Sequence, residues 1–125
     1  MNINIKATNI ELTDSIRDYL DKKMAQVEKF IKAPDTEPIA DIEIGKTTNG
    51  KNSAEDLFKA EINLQIGGDL YRYNAEEAEL YTAIDKMKDQ IIREIRKEKE
   101  KKRDFFRRGA LRMKEMIRGF GRKGK

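Results

Sequence analysis

The chain contains no cysteine, no histidine and no tryptophan among its 125 residues. Without cysteine there is no disulfide framework, no thiolate metal site and no thiol nucleophile. Without histidine there is no Ser-His-Asp triad and no imidazole ligand for a metal. Apolar residues are also scarce, at 38% against the roughly 45–50% of an ordinary globular domain. No apolar run approaches the roughly 20 residues that a membrane-spanning helix needs. The first twenty residues carry Lys6, Glu11, Asp14, Arg17 and Asp18, which is not the pattern of a signal peptide. These absences, with the length, predict one soluble domain in a reducing cytoplasm.

Charge, by contrast, is abundant: 40% of the residues are charged, and the net charge is only +4. That near-neutral figure conceals a division. Residues 1–95 hold 13 basic and 19 acidic side chains, a balance of −6, whereas residues 96–125 hold 14 basic and 4 acidic, a balance of +10. An acidic domain joined to a basic extension points to a polyanionic partner.

The apolar pattern supplies the elements. Ile3, Ile5 and Ala7 alternate with Asn4 and Lys6, the period of a half-buried strand. Thr13 is a suitable N-cap, and Asp14 suits the positive end of a helix dipole. Ile16, Tyr19, Leu20, Met24, Val27 and Ile31 then recur at steps of three and four, which predicts an amphipathic helix of about five turns. Pro34 and Pro38 place its end near Lys32. A second strand is expected over Ile39–Lys46, with Ala40, Ile42 and Ile44 in phase, and then a polar loop around Asn49-Gly50. Phe58–Ile66 alternates most clearly, and Gly67-Gly68 suits a tight hairpin. The returning strand is expected over Leu70–Asn74, with either face possible for Leu70, Tyr71 and Tyr73. A second long helix is expected from about Glu76 to the region of Lys101, with Tyr81, Ile84, Met87, Ile91 and Ile95 as its stripe. Met113, Met116, Ile117 and Phe120 are spaced as one face of a further short helix, which Gly109 and Gly119 weaken. The order predicts an α+β fold: a β-α-β-β-β-α two-layer sandwich whose four-stranded, antiparallel sheet carries both helices on one face. Its expected divisions are a domain over 1–100 and a basic extension over 101–125.

Catalytic candidates are few. Asp41 with Glu43, or Glu76, Glu77 and Glu79, could hold Mg²⁺ as in a metal-dependent nuclease, or act as acid and base. Solvation of a strand's polar side and matching of a helix dipole explain them without catalysis. Gly67-Gly68 lacks the spacing and the following Lys-Ser/Thr of a P-loop. Ser15 and Ser53 have no histidine to activate them. The expectation is a non-enzyme without catalytic residues, metal, cofactor or small-molecule substrate.

Basic residues carry more. Lys22, Lys23 and Lys29 fall on largely solvent-facing positions of the first helix, and Lys86, Arg93, Arg96, Lys97 and Lys99 lie off the stripe of the second. A solvated face with pairs such as Asp89–Arg93 at i, i+4 accounts for them equally well. The extension adds Lys101, Lys102, Arg103, Arg107, Arg108, Arg112, Lys114, Arg118, Arg122, Lys123 and Lys125, a dense surface for phosphates. Phe105, Phe106 and Phe120 among them can stack on exposed bases. A basic amphipathic segment also suits an anionic membrane or a protein groove, so an adaptor docking through this tail is the alternative reading.

The ordered set of motifs resembles the ribosome hibernation promoting factor family, which includes ribosome-associated inhibitor A, also called protein Y. The residues that carry the resemblance are Asn2-Ile3-Asn4-Ile5, then Asn9-Ile10-Glu11-Leu12-Thr13, Tyr19-Leu20-Asp21-Lys22-Lys23-Met24 and Lys59-Ala60-Glu61-Ile62. The most specific match is Leu80-Tyr81-Thr82-Ala83-Ile84-Asp85, and Ile95-Arg96-Lys97-Glu98-Lys99 follows it. The resemblance covers residues 1 to about 100. It implies a fold similar to double-stranded-RNA-binding domains and a monomeric cytoplasmic factor that binds the small ribosomal subunit and its rRNA. It implies occupation of the mRNA channel and the A- and P-site region, with translation silenced in stationary or stressed cells. The grip would come from the helix cations named above. The family's long members continue into a second folded domain, so a short form is expected here, with no membrane partner. Tyr81, Ala83 and Ile84 are expected to pack, and Asp85 falls at the boundary of the stripe.

Overall fold

The computed structural model describes residues 1–32, 36–47 and 57–123, with side chains as far as Ala110. The expected loop around Asn49-Gly50, Pro34, and the side chains of Arg112, Met113, Met116, Ile117 and Phe120 lie outside the described residues. The elements are β1 (Asn2–Thr8), α1 (Asp14–Glu28), β2 (Ile39–Thr47), β3 (Leu57–Ile66), β4 (Asp69–Glu77) and α2 (Leu80–Lys123). The β-α-β-β-β-α order of the sequence reading is therefore present. Two compact units, Met1–Ile95 and Arg96–Lys125, make up the chain.

In the first unit the sheet order is β1-β2-β3-β4. The sheet is mixed rather than antiparallel throughout, because β1 pairs with β2 in parallel. The reason is α1: a helix between two neighbouring strands carries the chain back to the starting end of the sheet, and only a parallel partner can begin there. The other two pairings are antiparallel, as expected for hairpins.

Register brings the alternating apolar residues into line. Ile5 faces Ile42, Ile42 faces Ile62, and Ile62 faces Tyr73 across the four strands. Ala40, Ile44, Ala60, Leu64 and Ala75 share that face and are buried with Ile42 and Ile62, while Ile5 and Tyr73 are partly buried at its edges. The helices cover it with Leu20, Met24 and Val27 from α1 and Leu80, Ala83, Ile84, Met87, Ile91 and Ile95 from α2. Tyr81 is 42% exposed, so the stripe of α2 begins at Leu80 rather than at Tyr81. The opposite sheet face is polar. There Asn4 donates to Asp41 at 3.0 Å, while Glu43 accepts from Thr8 at 3.3 Å and pairs with Lys59 at 3.3 Å. The Lys59 hydrogen bond, working against partial burial, holds the Glu43 carboxyl below its usual value. Asp41 and Glu43 thus behave as surface partners of the sheet.

Turns and caps follow local chemistry. The Thr13 side chain accepts from the Ile16 amide at 3.2 Å, satisfying one of the free donors of the first turn. Gly67 takes φ +59° at the first central position of the β3–β4 turn, as type II′ hairpins require. Gly45 lies where β1 and β2 come close, and a Cβ there would sit 2.8 Å from the Thr8 carbonyl oxygen.

Three boundaries differ from expectation. Helix α1 ends at Glu28 rather than near Lys32, because Phe30 and Ile31 donate to the carbonyls of Val27 and Glu28 at 3.0 Å each. Such i, i−3 bonds tighten and close a last turn. β4 runs on to Glu77, so Glu76 and Glu77 end a strand instead of opening a helix. Helix α2 continues through Gly109 and Gly119 to Lys123. Two glycines cost about 1 kcal/mol each, and the surrounding Lys, Arg, Glu, Leu and Met are strong helix formers that offset them.

Candidate nucleic-acid interface

Within the first unit, Lys22 on α1, Lys29 at its C-cap, and Lys86 and Arg93 on α2 are exposed. Lys23 is not: its side chain is only 19% exposed and lies 3.2 Å from the Asp85 carboxylate. Lys86 is bound to Glu77 of β4. Asp89, expected opposite Arg93, takes Lys88 at 2.6 Å instead. The cations on the helices of this unit therefore differ in how free their charge is.

The Asp85 site joins the two helices. The Tyr19 hydroxyl donates to Asp85 Oδ1 at 2.5 Å, and Lys23 Nζ approaches the same oxygen. The Lys23 ammonium sits 4.9 Å from the centre of the Tyr19 ring, within range of a cation–π attraction. The Tyr81 ring meets Tyr19 edge to face, with centroids 4.6 Å apart and an interplanar angle of 87°. Partial burial pushes the Asp85 carboxyl up. The hydrogen bonds from Tyr19 and Lys23 and the charges of Lys23 and Lys88 outweigh it, so the group stays below its usual value. The hydrogen bond to Asp85 raises both Tyr19 and Lys23.

Sequence reasoning missed this cluster because it treated Tyr19 and Tyr81 as stripe residues. A signal was present: each helix carries a tyrosine followed four residues later by a charge, Lys23 on one and Asp85 on the other. A lowered carboxyl pKa adds stability that is complete above its unfolded value of about 3.9 and is lost as pH falls through the folded one. Asp85→Asn is therefore expected to lower the melting temperature modestly at pH 7, and the gap from the unsubstituted protein should narrow as pH falls below the unfolded value. A gap that stays constant with pH would remove the ionised carboxylate from the tie.

In the second unit, Arg96, Lys97, Lys101, Lys102, Arg103, Arg107 and Arg108 are exposed, and Lys99 is half-buried. Phe105 and Phe106 are 77% and 74% exposed. Both are large apolar rings open to solvent on a charged helix surface. No described helix is long and apolar enough to cross a membrane.

The family described as sigma 54 modulation protein / S30EA ribosomal protein matches residues 3–103. A ribosome hibernation promoting factor of Pseudomonas putida is 33% identical over 90% of this chain and all of its own length. This chain belongs to the ribosome hibernation promoting factor family. Its members differ in length: a ribosome hibernation promotion factor of Picosynechococcus sp. is 32% identical over 81% of this chain but only 50% of its own. The fold is shared as well. The crystal structure of the N-terminal domain of Thermus thermophilus Protein Y superposes with a TM-score of 0.63, at 33% identity, over 78% of this chain and 98% of that one. Within the family's match, Ala83 and Ile84 of the signature are fully buried, and Tyr81 and Asp85 form the bridge to α1. The match ends at residue 103, ahead of Phe105 and Phe106.

Proposed function

We propose that this protein is a ribosome hibernation factor that binds the small ribosomal subunit through its rRNA. It occupies the mRNA channel and the A- and P-site region and silences translation in stationary or stressed cells. The observation that carries the reading is membership of a family whose Pseudomonas putida member is matched along its whole length.

The mechanism is steric and electrostatic. An α+β domain over residues 1–100 fills space that mRNA and tRNA need. Lys22, Lys29, Arg93, Arg96, Lys97 and Lys99 bind rRNA phosphates, while Lys23 and Lys86 reach phosphate in competition with Asp85 and Glu77. The extension over 101–125 adds Lys101, Lys102, Arg103, Arg107, Arg108 and Arg112, and Phe105, Phe106 and Phe120 stack on unpaired bases. The action needs no bond-making chemistry, and the factor is a monomer off the ribosome.

Each phosphate neutralised releases counterions, so affinity falls as a power of salt concentration. Pelleting the protein with purified ribosomes at KCl from 50 to 400 mM is expected to show bound protein falling steeply. Binding that ignores salt, or no binding at all, would sink the reading. One observation favours a second reading, an adaptor on an anionic membrane: the exposure of Phe105 and Phe106 on a basic helix. Flotation with anionic liposomes separates the two.

A further inference from the structure

We propose that Asp85 is an internal competitor of phosphate, a positioning residue that withholds the Lys23 charge from RNA and so limits the protein's grip. The proposal rests on the ribosome-binding reading above and adds to it a residue that weakens binding.

Four observations converge on it. First, Lys22 on the same helix and Lys29 at its C-cap are exposed, yet the Lys23 side chain is 19% exposed and 3.2 Å from Asp85. Second, Asp85 is 43% exposed, so the pair lies at the surface, where an external anion can reach it and exchange with the carboxylate. Third, Asp85 is held in place independently of Lys23, because Tyr19 donates to the same oxygen at 2.5 Å. Fourth, Lys23 also rests over the Tyr19 ring, which Tyr81 braces edge-on. The carboxylate is therefore presented to Lys23 whether or not RNA is near. A pair meant only to fasten α1 to α2 does not need the lysine, since the Tyr19 hydroxyl already spans the two helices. Exposed ion pairs add little stability, but a fixed counter-charge changes how many cations a polyanion can use. Exchange of Asp85 for a phosphate at Lys23 is a substitution of one anion for another, and it lowers the net gain from that contact.

The test is the salt dependence of binding to purified small ribosomal subunits, compared in four proteins: unsubstituted, Asp85→Asn, Lys23→Gln and the double variant. Asparagine keeps an oxygen that can accept from Tyr19 and removes the charge. Asp85→Asn is expected to steepen the slope of log affinity against log salt by about one. That corresponds to a further three- to fourfold loss between 50 and 200 mM KCl. Lys23→Gln is expected to remove about one unit of slope in the Asp85→Asn protein, and less than half of that when Asp85 is intact. A purely structural role for Asp85 gives weaker binding at unchanged slope, and equal effects of Lys23→Gln in both backgrounds; either result overturns the proposal. If Asp85→Asn fails to fold, Lys23→Gln alone still decides, since a full unit lost with Asp85 intact means that Lys23 was never withheld. An unsubstituted protein that binds no subunits overturns the ribosome-binding reading itself, whereas salt-dependent binding with additive substitutions overturns only the role of Asp85.

Discussion

A chain cut after Glu100 is expected to lose at least a hundredfold in ribosome affinity at low salt while keeping the thermal transition of its α+β core. Residues 101–125 hold 11 basic and 2 acidic side chains. If about half of those cations meet phosphates, the salt slope drops by roughly four to five units, and affinity at 50–100 mM salt falls by orders of magnitude. The core should be indifferent. Among the described residues, every buried apolar side chain lies between Leu20 and Ile95, inside the first compact unit. Calorimetry and subunit pelleting on the shortened chain check the two halves of the expectation. Full affinity without the extension would take it out of the mechanism and leave the helix cations as the whole grip.

The largest effect on stability is expected at Ile62. It is fully buried and stands in the row Ile5–Ile42–Ile62–Tyr73 that crosses all four strands. Ile62→Ala deletes three carbons from the middle of the sheet where neither neighbouring strand can close in. Losses at such sites run to about 2–5 kcal/mol. For a domain of this size, a loss near 3 kcal/mol lowers the melting temperature by roughly 15 °C. Leu70→Ala on the neighbouring strand is the control: Leu70 is 59% exposed and should shift the transition by a few degrees at most. Similar shifts for both would mean that the polar sheet face is covered in solution.

Local chemistry was enough for much of this fold. Alternation of Ile3, Ile5 and Ala7, and of Ala60, Ile62 and Leu64, marks strands because a pleat buries every second side chain. Thr13 marks a helix start because its oxygen fits a free amide. What local chemistry does not contain is the partner. The parallel pairing of β1 depends on where α1 returns the chain. Glu76 and Glu77 resemble the acidic first turn of a helix, yet they pair with Lys59 and Phe58 because β3 begins early enough to hold them. The end of α1 is set by Phe30 and Ile31 packing on the core, ahead of the nearest proline.

The site was legible in the same uneven way. Spacing placed Lys22, Lys29, Lys86 and Arg93 at the surface, since it reports which side of a helix a residue occupies. It could not report that Lys23 is answered by Asp85, 62 positions away. Tyr19 and Tyr81 read as stripe residues because a ring is apolar, while the hydroxyl that binds Asp85 has no periodicity of its own.

The sheet order also bears on the chain's own manufacture. Among the described residues β1 pairs with β2 alone, and its first residue pairs with Ile39. While a ribosome is making this protein, residues 2–8 emerge ahead of the rest of the sheet and have no strand to join until β2 has followed α1 out of the exit tunnel. β3 and β4, by contrast, can zip as soon as Gly67 and Gly68 turn the chain. Short-range pairing closes faster than long-range pairing. The leading strand of the sheet is thus a late arrival in it, and the close approach of Thr8 to Gly45 is where its docking must finish.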